Sequence, residues 1–543
     1  MNQPLHDRAT FDHLYVRQPR RWLIVVLLAY LLVASQYARL TPDWQAPDEP
    51  AHYNYVAYLA TQRALPVLRA ADYDQELIGE LLASRFQADL PIEKLRYESY
   101  QPPLYYITAT PVYWLSGGSL LALRLYNVAL GLITLLLLYL CAESIFPNKP
   151  LLSLGAVAFA AMLPMHVAMT AAVNNDGLAD LLVVAALWLL LRWVRRQFAG
   201  DQSHARTSLL ILGVVLGLGL LTKVYAYVLL PICVLVVVAT LWQRTRATQG
   251  LWRALLHSLI TALWVVIPAL LLGLPLWLRN LQLYGGWDFL GTIRHDQVVV
   301  GQPRFWEWVN QHGWSAYGER AFSFTFRSFW GVFGWLGVFM DERIYMALML
   351  FTGVLFLGLL WATVRLIAGG LDADLDDFQL WMLGLCGLLC LAVTVSYVWY
   401  NLKFVQHQGR YFFWGLLPIS IFVALAWREV MQPVQGAITG FLFGVLTVAL
   451  IINRYFDGSL NKWTLLMLGL FTLILLAQPL LLAGTAENTI RWLPRRLRGW
   501  LATPLLAWLL GTLRLLTWAL PFVLLFALNW LIPGWFILPQ LTG

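Results

Sequence analysis

Asp48 and Glu49 stand side by side in Pro47-Asp48-Glu49-Pro50-Ala51-His52, with His52 one helical turn further on. Adjacent carboxylates beside an imidazole can take a proton from a hydroxyl or help ligate a divalent cation. The bracketing prolines make an elbow that fixes the direction in which these side chains leave the chain. A further carboxylate, Asp176, follows two asparagines in Asn174-Asn175-Asp176-Gly177. Paired with Asp48 it could complete an acid–base site, or a cation site with Asp48, His52 and Asp176 as ligands. Cations recur as well: Lys223 in Leu221-Thr222-Lys223, Arg279 before Asn280, and Arg410 in Gln408-Gly409-Arg410-Tyr411. Lys and Arg are the natural partners of a phosphate. Taken singly, each residue also has a plain structural explanation. Asp48 can cap a helix, Asp176 can stabilise a helix–helix turn, and each cation can snorkel from a helix end.

The elements that must position these residues are set by composition. Of 543 residues, 60% are hydrophobic and 12% charged, against about 25% charged in ordinary soluble domains. That excludes a soluble enzyme and predicts an all-α polytopic membrane protein. Apolar runs long enough to cross a bilayer fall near 22–40, 119–145, 151–173, 177–195, 208–222, 224–243 and 255–280. Others fall near 344–367, 379–400, 411–427, 434–452 and 463–484, with a tail from 500 to 538 that holds one span or two, for 13 or 14 in all. The run from Trp22 to Ala38 follows Arg20 and Arg21 but has no cleavage pattern after it, so it reads as an uncleaved first span. Residues 102–118 are apolar but short, aromatic and interrupted by Pro111. Placing them in the membrane interface puts the arginine clusters at 8–21, 192–206, 244–253 and 491–498 on the cytoplasmic side, as the positive-inside rule favours.

With that parity the N-terminus is cytoplasmic, in an inner-type plasma membrane. Asp48, Asp176, Lys223, Arg279 and Arg410 then all lie at the outer surface. Two long outer loops result, 41–119 and 281–343, whose Trp and Tyr content argues for juxtamembrane helices and against disorder. The chain divides into a cytoplasmic segment 1–21, a transmembrane module 22–430 that carries the chemistry, and C-terminal helices 431–543 that read as scaffold.

Other features carry less. The formal net charge of +8 is topological charge, with no nucleic acid implied. Cys141, Cys233, Cys386 and Cys390 all lie in apolar runs and imply no disulfide framework. Asp372-Ala373-Asp374-Leu375-Asp376-Asp377 starts like a calcium loop but lacks the glycine and the bidentate glutamate that loop needs. His166 reads as a hydrogen-bonded core residue, and Glu143 and Asp180 as polar groups within or near spans.

The acidic elbow Pro47–Tyr53 resembles that of the C-type, polyprenyl-phosphate-dependent membrane glycosyltransferases. Further motifs follow in the family's order: Tyr100-Gln101-Pro102-Pro103-Leu104-Tyr105-Tyr106, Asn175-Asp176, Leu221-Thr222-Lys223, Trp277-x-Arg279-Asn280 with Tyr284-Gly285, and Gln408-Gly409-Arg410-Tyr411. The protein O-mannosyltransferases and lipid A aminoarabinose transferases belong to the same broad group, and the resemblance covers roughly residues 20–430. It implies a GT-C fold and transfer of a sugar from a polyprenyl-phosphate donor to a lipid, glycan or protein acceptor at the outer face. By the same resemblance Asp48 is the base, with Glu49 its neighbour and Asp176 orienting the acceptor or sharing a metal. Lys223 and Arg410 bind the lipid phosphate, and Arg279, Gln101 and Tyr105 join the substrate-binding set. A divalent cation is implied only where family members use one. Two other classes remain open from the residues alone. One is a transporter or flippase for a lipid-linked glycan, which would move its substrate unchanged. The other is a non-catalytic scaffold, which would tolerate loss of Asp48.

Overall fold

The computed structural model describes residues 18–86, 91–201, 203–368, 375–456, 462–478, 494–501 and 503–542. The first helix, α1 (Pro19–Leu40), starts on a proline whose fixed φ suits a first helical turn. The segment after it folds as α2 (Glu49–Gln62), α3 (Gln75–Ala83), three short 3-10 turns and α4 (Leu104–Ser116). The 13 residues of α4 rise about 20 Å, short of the roughly 30 Å hydrocarbon layer. The stretch 102–118 is therefore not a span, in agreement with the interfacial assignment.

Four helices continue the bundle: α5 (Leu120–Ile145), α6 (Pro150–Met162), α7 (Pro164–Thr170) and α8 (Asp176–Phe198). The α6–α7 pair is bent by 65°, because Pro164 has no N–H to continue the ladder and forces Leu163 out of helical geometry. A carbonyl freed at the break is met by His166, whose Nδ1 lies 2.9 Å from the Ala160 oxygen. Another, on Met162, accepts from Asn529 at 2.8 Å in the C-terminal helix Pro504–Ile532. His166 is thus a core residue, as expected. Next come α9 (Ala205–Leu220), α10 (Ala226–Gln249) and the 34-residue α11 (Leu251–Tyr284).

The segment between α11 and the next long apolar helix holds α12 (Thr292–Val298), α13 (Phe305–Trp330) and a two-strand hairpin, Val332–Phe333 with Val338–Phe339. Beyond it stand α14 (Glu342–Ile367), α15 (Asp377–Asn401), a 3-10 segment Gly409–Gly415 and α16 (Leu416–Val430). Asp376 caps α15 by a reciprocal pair of bonds with Gln379, so the described end of the acidic loop is a helix start. Asp372, Ala373 and Asp374 lie outside the described residues.

Among the described residues ten helices are long and apolar enough to cross a membrane, or eleven if the bent pair is one span. The expected 13 or 14 is a count over the whole chain, part of which lies outside the described residues. Helix α9 and residues 465–476 are apolar but shorter than a span. The tail forms one long helical run, Pro504–Thr542, in place of the two short spans considered. The multi-pass character stands: Leu256, Ile267 and Leu271 on α11 are each more than half exposed, which suits lipid and not water.

Small residues set the closest helix approaches, as they do where packing alone draws helices together. On Gly358 of α14, a Cβ would meet the Ala426 carbonyl oxygen of α16 at 2.2 Å. The opposing atom is backbone and cannot swing aside. Gly358→Val is therefore expected to pry α14 from α16 and cost about 1–3 kcal/mol, read as a lowered thermal midpoint in detergent. An unchanged midpoint would show that the two helices are not in register here.

The two long connecting segments pack on each other as one small core, in which Ala51, Leu68, Leu77, Leu81, Leu95 and Tyr97 meet Val298 and Val299. Bonds from the Leu68 amide to Tyr284 Oη and from Trp335 Nε1 to the Trp44 oxygen tie them further. The segments are thus ordered lids of helix and turn, and they roof one end of the bundle.

Candidate functional site

Under that roof lies a cavity of about 980 Å³. Asp48 enters it from the turn before α2 with φ 64°, the left-handed region. Asp and Asn accept that conformation more readily than most residues. It leaves Asp48 without a capping bond and aims its carboxylate away from the helix it precedes. The Asp48 carboxylate accepts from Tyr97 Oη at 2.9 Å and from Arg410 Nη2 at 3.0 Å. Burial alone would raise its pKa, but the Arg410 guanidinium and nearby His52 outweigh burial and hold it below the ordinary carboxylate value.

The same turn sends the next residue the other way. Glu49 is fully buried and does not line the cavity. Arg124 of α5 grips it bidentately, Nε to Oε1 at 2.8 Å and Nη2 to Oε2 at 2.6 Å, while the Val173 amide donates to Oε1 at 3.1 Å. Arg124 spends its remaining donors on the carbonyls of Ala38, Thr41 and Pro42. Glu49 was expected beside Asp48 in the chemistry. Its place is instead a buried clamp that fastens the elbow to α5.

The second carboxylate arrives as expected. Asn174 accepts from the Asp176 and Gly177 amides and so starts α8 at Asp176. Lys223, in the turn between α9 and α10, reaches across to Asp176 Oδ1 at 2.5 Å and to Asn175 Oδ1 at 2.9 Å. Asn175 in turn donates to Gln101 Oε1 at 3.3 Å, and the Leu104 amide donates to the Leu221 oxygen. The Gln101 motif, the Asn-Asp turn and the Thr-Lys turn are therefore one hydrogen-bonded unit. Asp48, His52, Gln101, Asp176, Lys223 and Arg410 all line the cavity.

Two expected substrate-binding residues do not. Arg279 turns to the Leu65 and Pro66 oxygens, at 3.3 and 2.6 Å, and braces the first segment. Tyr105 is fully buried, edge-on to Tyr106 and tilted against Tyr126, behind the wall. Both faced the site in sequence order only, because motif spacing does not reveal which way a side chain turns.

The cation-binding trio is not assembled either. Among the described residues no group of three or more His, Cys, Asp or Glu is placed to share a metal ion. Asp48 is engaged by Arg410 and Tyr97, Asp176 by Lys223, and His52 Nδ1 lies 2.9 Å from the Tyr106 hydroxyl. Burial lowers the His52 pKa against the pull of Glu98 and Asp48.

Several lining residues had no motif to announce them. Tyr97 and Glu98 come from the 3-10 turn that leads into the Tyr100-Gln101 motif, and Asp180 stands one turn along α8 from Asp176, bonded by Tyr225 Oη at 2.7 Å. Asp296 of α12 pairs with Lys403, beside His295. Only the run Tyr97-Glu98-Ser99-Tyr100, polar and aromatic next to a motif, could have pointed to any of them. The carboxylates Asp48, Glu98, Asp176, Asp180 and Asp296 thus outnumber the cations Lys223, Lys403 and Arg410 around this cavity.

The other limb of the cavity is apolar. Val228, Pro231 and Ile232 of α10 face Leu391, Ala392 and Val395 of α15 there. Leu391 and Val395 are each more than half exposed, so this limb opens sideways between two membrane helices. One cavity therefore joins a charged head under the roof to a greasy slot toward the lipid.

Comparison with known proteins finds a family model that matches part of the chain. Residues 100–271 match the family described as dolichyl-phosphate-mannose-protein mannosyltransferase. Among solved structures, the chain is similar to the Archaeoglobus fulgidus oligosaccharyltransferase tethered with an acceptor peptide, at 14% identity and a TM-score of 0.45, over 85% of this chain and 54% of that one. It is also similar to ArnT from Cupriavidus metallidurans bound to undecaprenyl phosphate, at 14% identity and a TM-score of 0.43, over 94% and 77%. The chain spans about half the length of the oligosaccharyltransferase. No curated protein matches it by sequence. The matched stretch contains the Gln101, Asn175-Asp176 and Lys223 motifs that the structure draws into one bonded unit, so residues 100–271 carry the mannosyltransferase family pattern that their motifs resemble.

Proposed function

We propose that this protein is a membrane glycosyltransferase that moves a sugar from a polyprenyl-phosphate donor to a lipid, glycan or protein acceptor. The reaction takes place at the outer face of an inner-type plasma membrane, with the N-terminus cytoplasmic. The observation that carries this reading is the two-limbed cavity. Its apolar slot between α10 and α15 suits an isoprenoid chain, and its head offers Lys223 and Arg410 to a phosphate.

In this reading Lys223 and Arg410 compensate the charge that gathers on the departing phosphate. An acceptor hydroxyl oxygen attacks the anomeric carbon from the face opposite the phosphate. The bond from that carbon to the phosphate oxygen breaks, its electron pair leaves with the polyprenyl phosphate, and the configuration inverts. Asp48 takes the hydroxyl proton. Asp176 holds Lys223 in place and orients the acceptor. The module 22–430 supplies all of these groups.

The test is incubation of the purified protein with a panel of polyprenyl-phosphate hexoses and pentoses, with membrane extract supplying acceptors. Released polyprenyl phosphate is measured by mass spectrometry. Release from at least one donor is expected. No release from any donor, with a labelled lipid-linked glycan crossing proteoliposomes unaltered, would make the protein a transporter.

A further inference from the structure

Three carboxylates around the head of the cavity are tied to cations: Asp48 to Arg410, Asp176 to Lys223, Asp296 to Lys403. Asp180 receives the Tyr225 hydroxyl. Glu98 differs from all four. Its side chain lines the cavity yet is 9% exposed, and its Oε2 is sealed from solvent with no hydrogen-bond partner. Among the described residues it forms no ion pair. It sits between Tyr97 and Tyr100 in a 3-10 turn.

Leaving a buried acceptor unmade is costly, so such a group in a native site calls for a reason. A carboxylate accepts hydrogen bonds and donates none. Its missing partner must therefore bring donors. In a polyprenyl-phosphate sugar the isoprenoid chain has none and the ionised phosphate only accepts. The hydroxyl groups of the sugar are the donors. Glu98 lies next in sequence to Tyr97, which bonds Asp48, and that places it beside the reacting centre and away from the apolar slot.

We infer that Glu98 is a donor-sugar recognition residue, its carboxylate accepting hydroxyl hydrogen bonds from the transferred sugar. This rests on the donor class proposed above. It makes Glu98 a specificity residue for a sugar with free hydroxyl groups, and it assigns the excess negative charge of the head to carbohydrate recognition.

The experiment measures binding of two lipids to the full-length protein in nanodiscs, with no acceptor present. One is sugar-free undecaprenyl phosphate, and the other is the undecaprenyl-phosphate sugar that turns over best in the panel. Glu98→Gln is expected to weaken the sugar-bearing lipid by about 10- to 100-fold, the range of one or two charged hydrogen bonds, and to leave the sugar-free lipid within about twofold. Glu98→Asp, which keeps the charge one methylene back, should recover part of the loss. Because the native carboxylate has no protein partner, the thermal midpoint of Glu98→Gln should hold or rise. Equal weakening of both lipids, or a lowered midpoint, would make Glu98 a structural group and overturn the inference. Unchanged binding of the sugar-bearing lipid would overturn it too and move Glu98 to the acceptor side. If the wild-type protein binds neither lipid, the proposed donor class itself fails, and that result is distinct from any produced by the variants.

Discussion

Arg124→Met is expected to leave too little folded protein to assay. The substitution strands Glu49 as a fully buried carboxylate left with the Val173 amide as its hydrogen-bond donor among the described residues. It also takes donors from three backbone carbonyls at the turn between α1 and α2. Breaking one side of a buried pair costs about 3–5 kcal/mol, a large share of the stability of any domain. The measurement is the monodisperse yield and thermal midpoint in detergent. The double variant Arg124→Met with Glu49→Leu is expected to recover much of the loss, since replacing both charges by apolar groups is far cheaper than removing one. If the single variant were as stable as the wild type, the clamp would not be what holds the elbow.

Asp48→Asn is expected to abolish transfer and leave the fold intact. Asparagine enters the left-handed region about as readily as aspartate, so the turn survives and the change isolates the charge. It also keeps an oxygen for Tyr97. Loss of a positioned base costs about 10²- to 10⁴-fold in rate, and turnover should fall by that much while the thermal midpoint moves little. The pH profile of the wild type offers an independent check. Arg410 and Tyr97 keep the Asp48 pKa below its usual value, so the carboxylate stays ionised through the ordinary carboxylate range, and activity should fall only at lower pH. The stability this pairing adds is present above the unfolded-state pKa and is lost as pH falls through the depressed folded value. A variant that retained more than about a tenth of wild-type turnover would move the proton acceptor to another group.

Much of the site was legible because its residues mark helix ends. Asp48, Asp176, Lys223 and Arg410 interrupt apolar runs, and a charge at such a break must be placed somewhere specific. What the pattern of types does not carry is direction. Asp48 and Glu49 are neighbours with the same chemistry, yet one left-handed residue sends the first into the cavity and the second into the core. Arg124, the reason Glu49 is spoken for, sits 75 positions away in a largely apolar helix and has no motif. Arg279 and Tyr105 sit in family-like strings but point at backbone and at other rings. Glu98 and the Asp296–Lys403 pair were invisible for a different reason. Glu98 and Asp296 reach the cavity through the packing of two long segments on each other, and Lys403 meets Asp296 from just past the end of α15, none of which periodicity encodes. The fold was read better than its count: α9 and the tail were taken from apolar length, and only the helix ends show that one is short and the other unbroken.

The break between α6 and α7 has a consequence for how the protein is made. Residues His166, Met169 and Thr170, just past the break, form part of the cavity wall. The freed Met162 carbonyl beside them is answered by Asn529, 367 positions later. Every residue proposed to take part in transfer has been synthesised by position 410, but the wall behind them lacks one of its ties until the helix Pro504–Ile532 is in place. The cavity can therefore set only well after its reactive groups have left the ribosome. A chain cut before residue 500 would carry a full complement of reactive groups around a helix break with an unanswered carbonyl, a nascent enzyme stopped one stitch short.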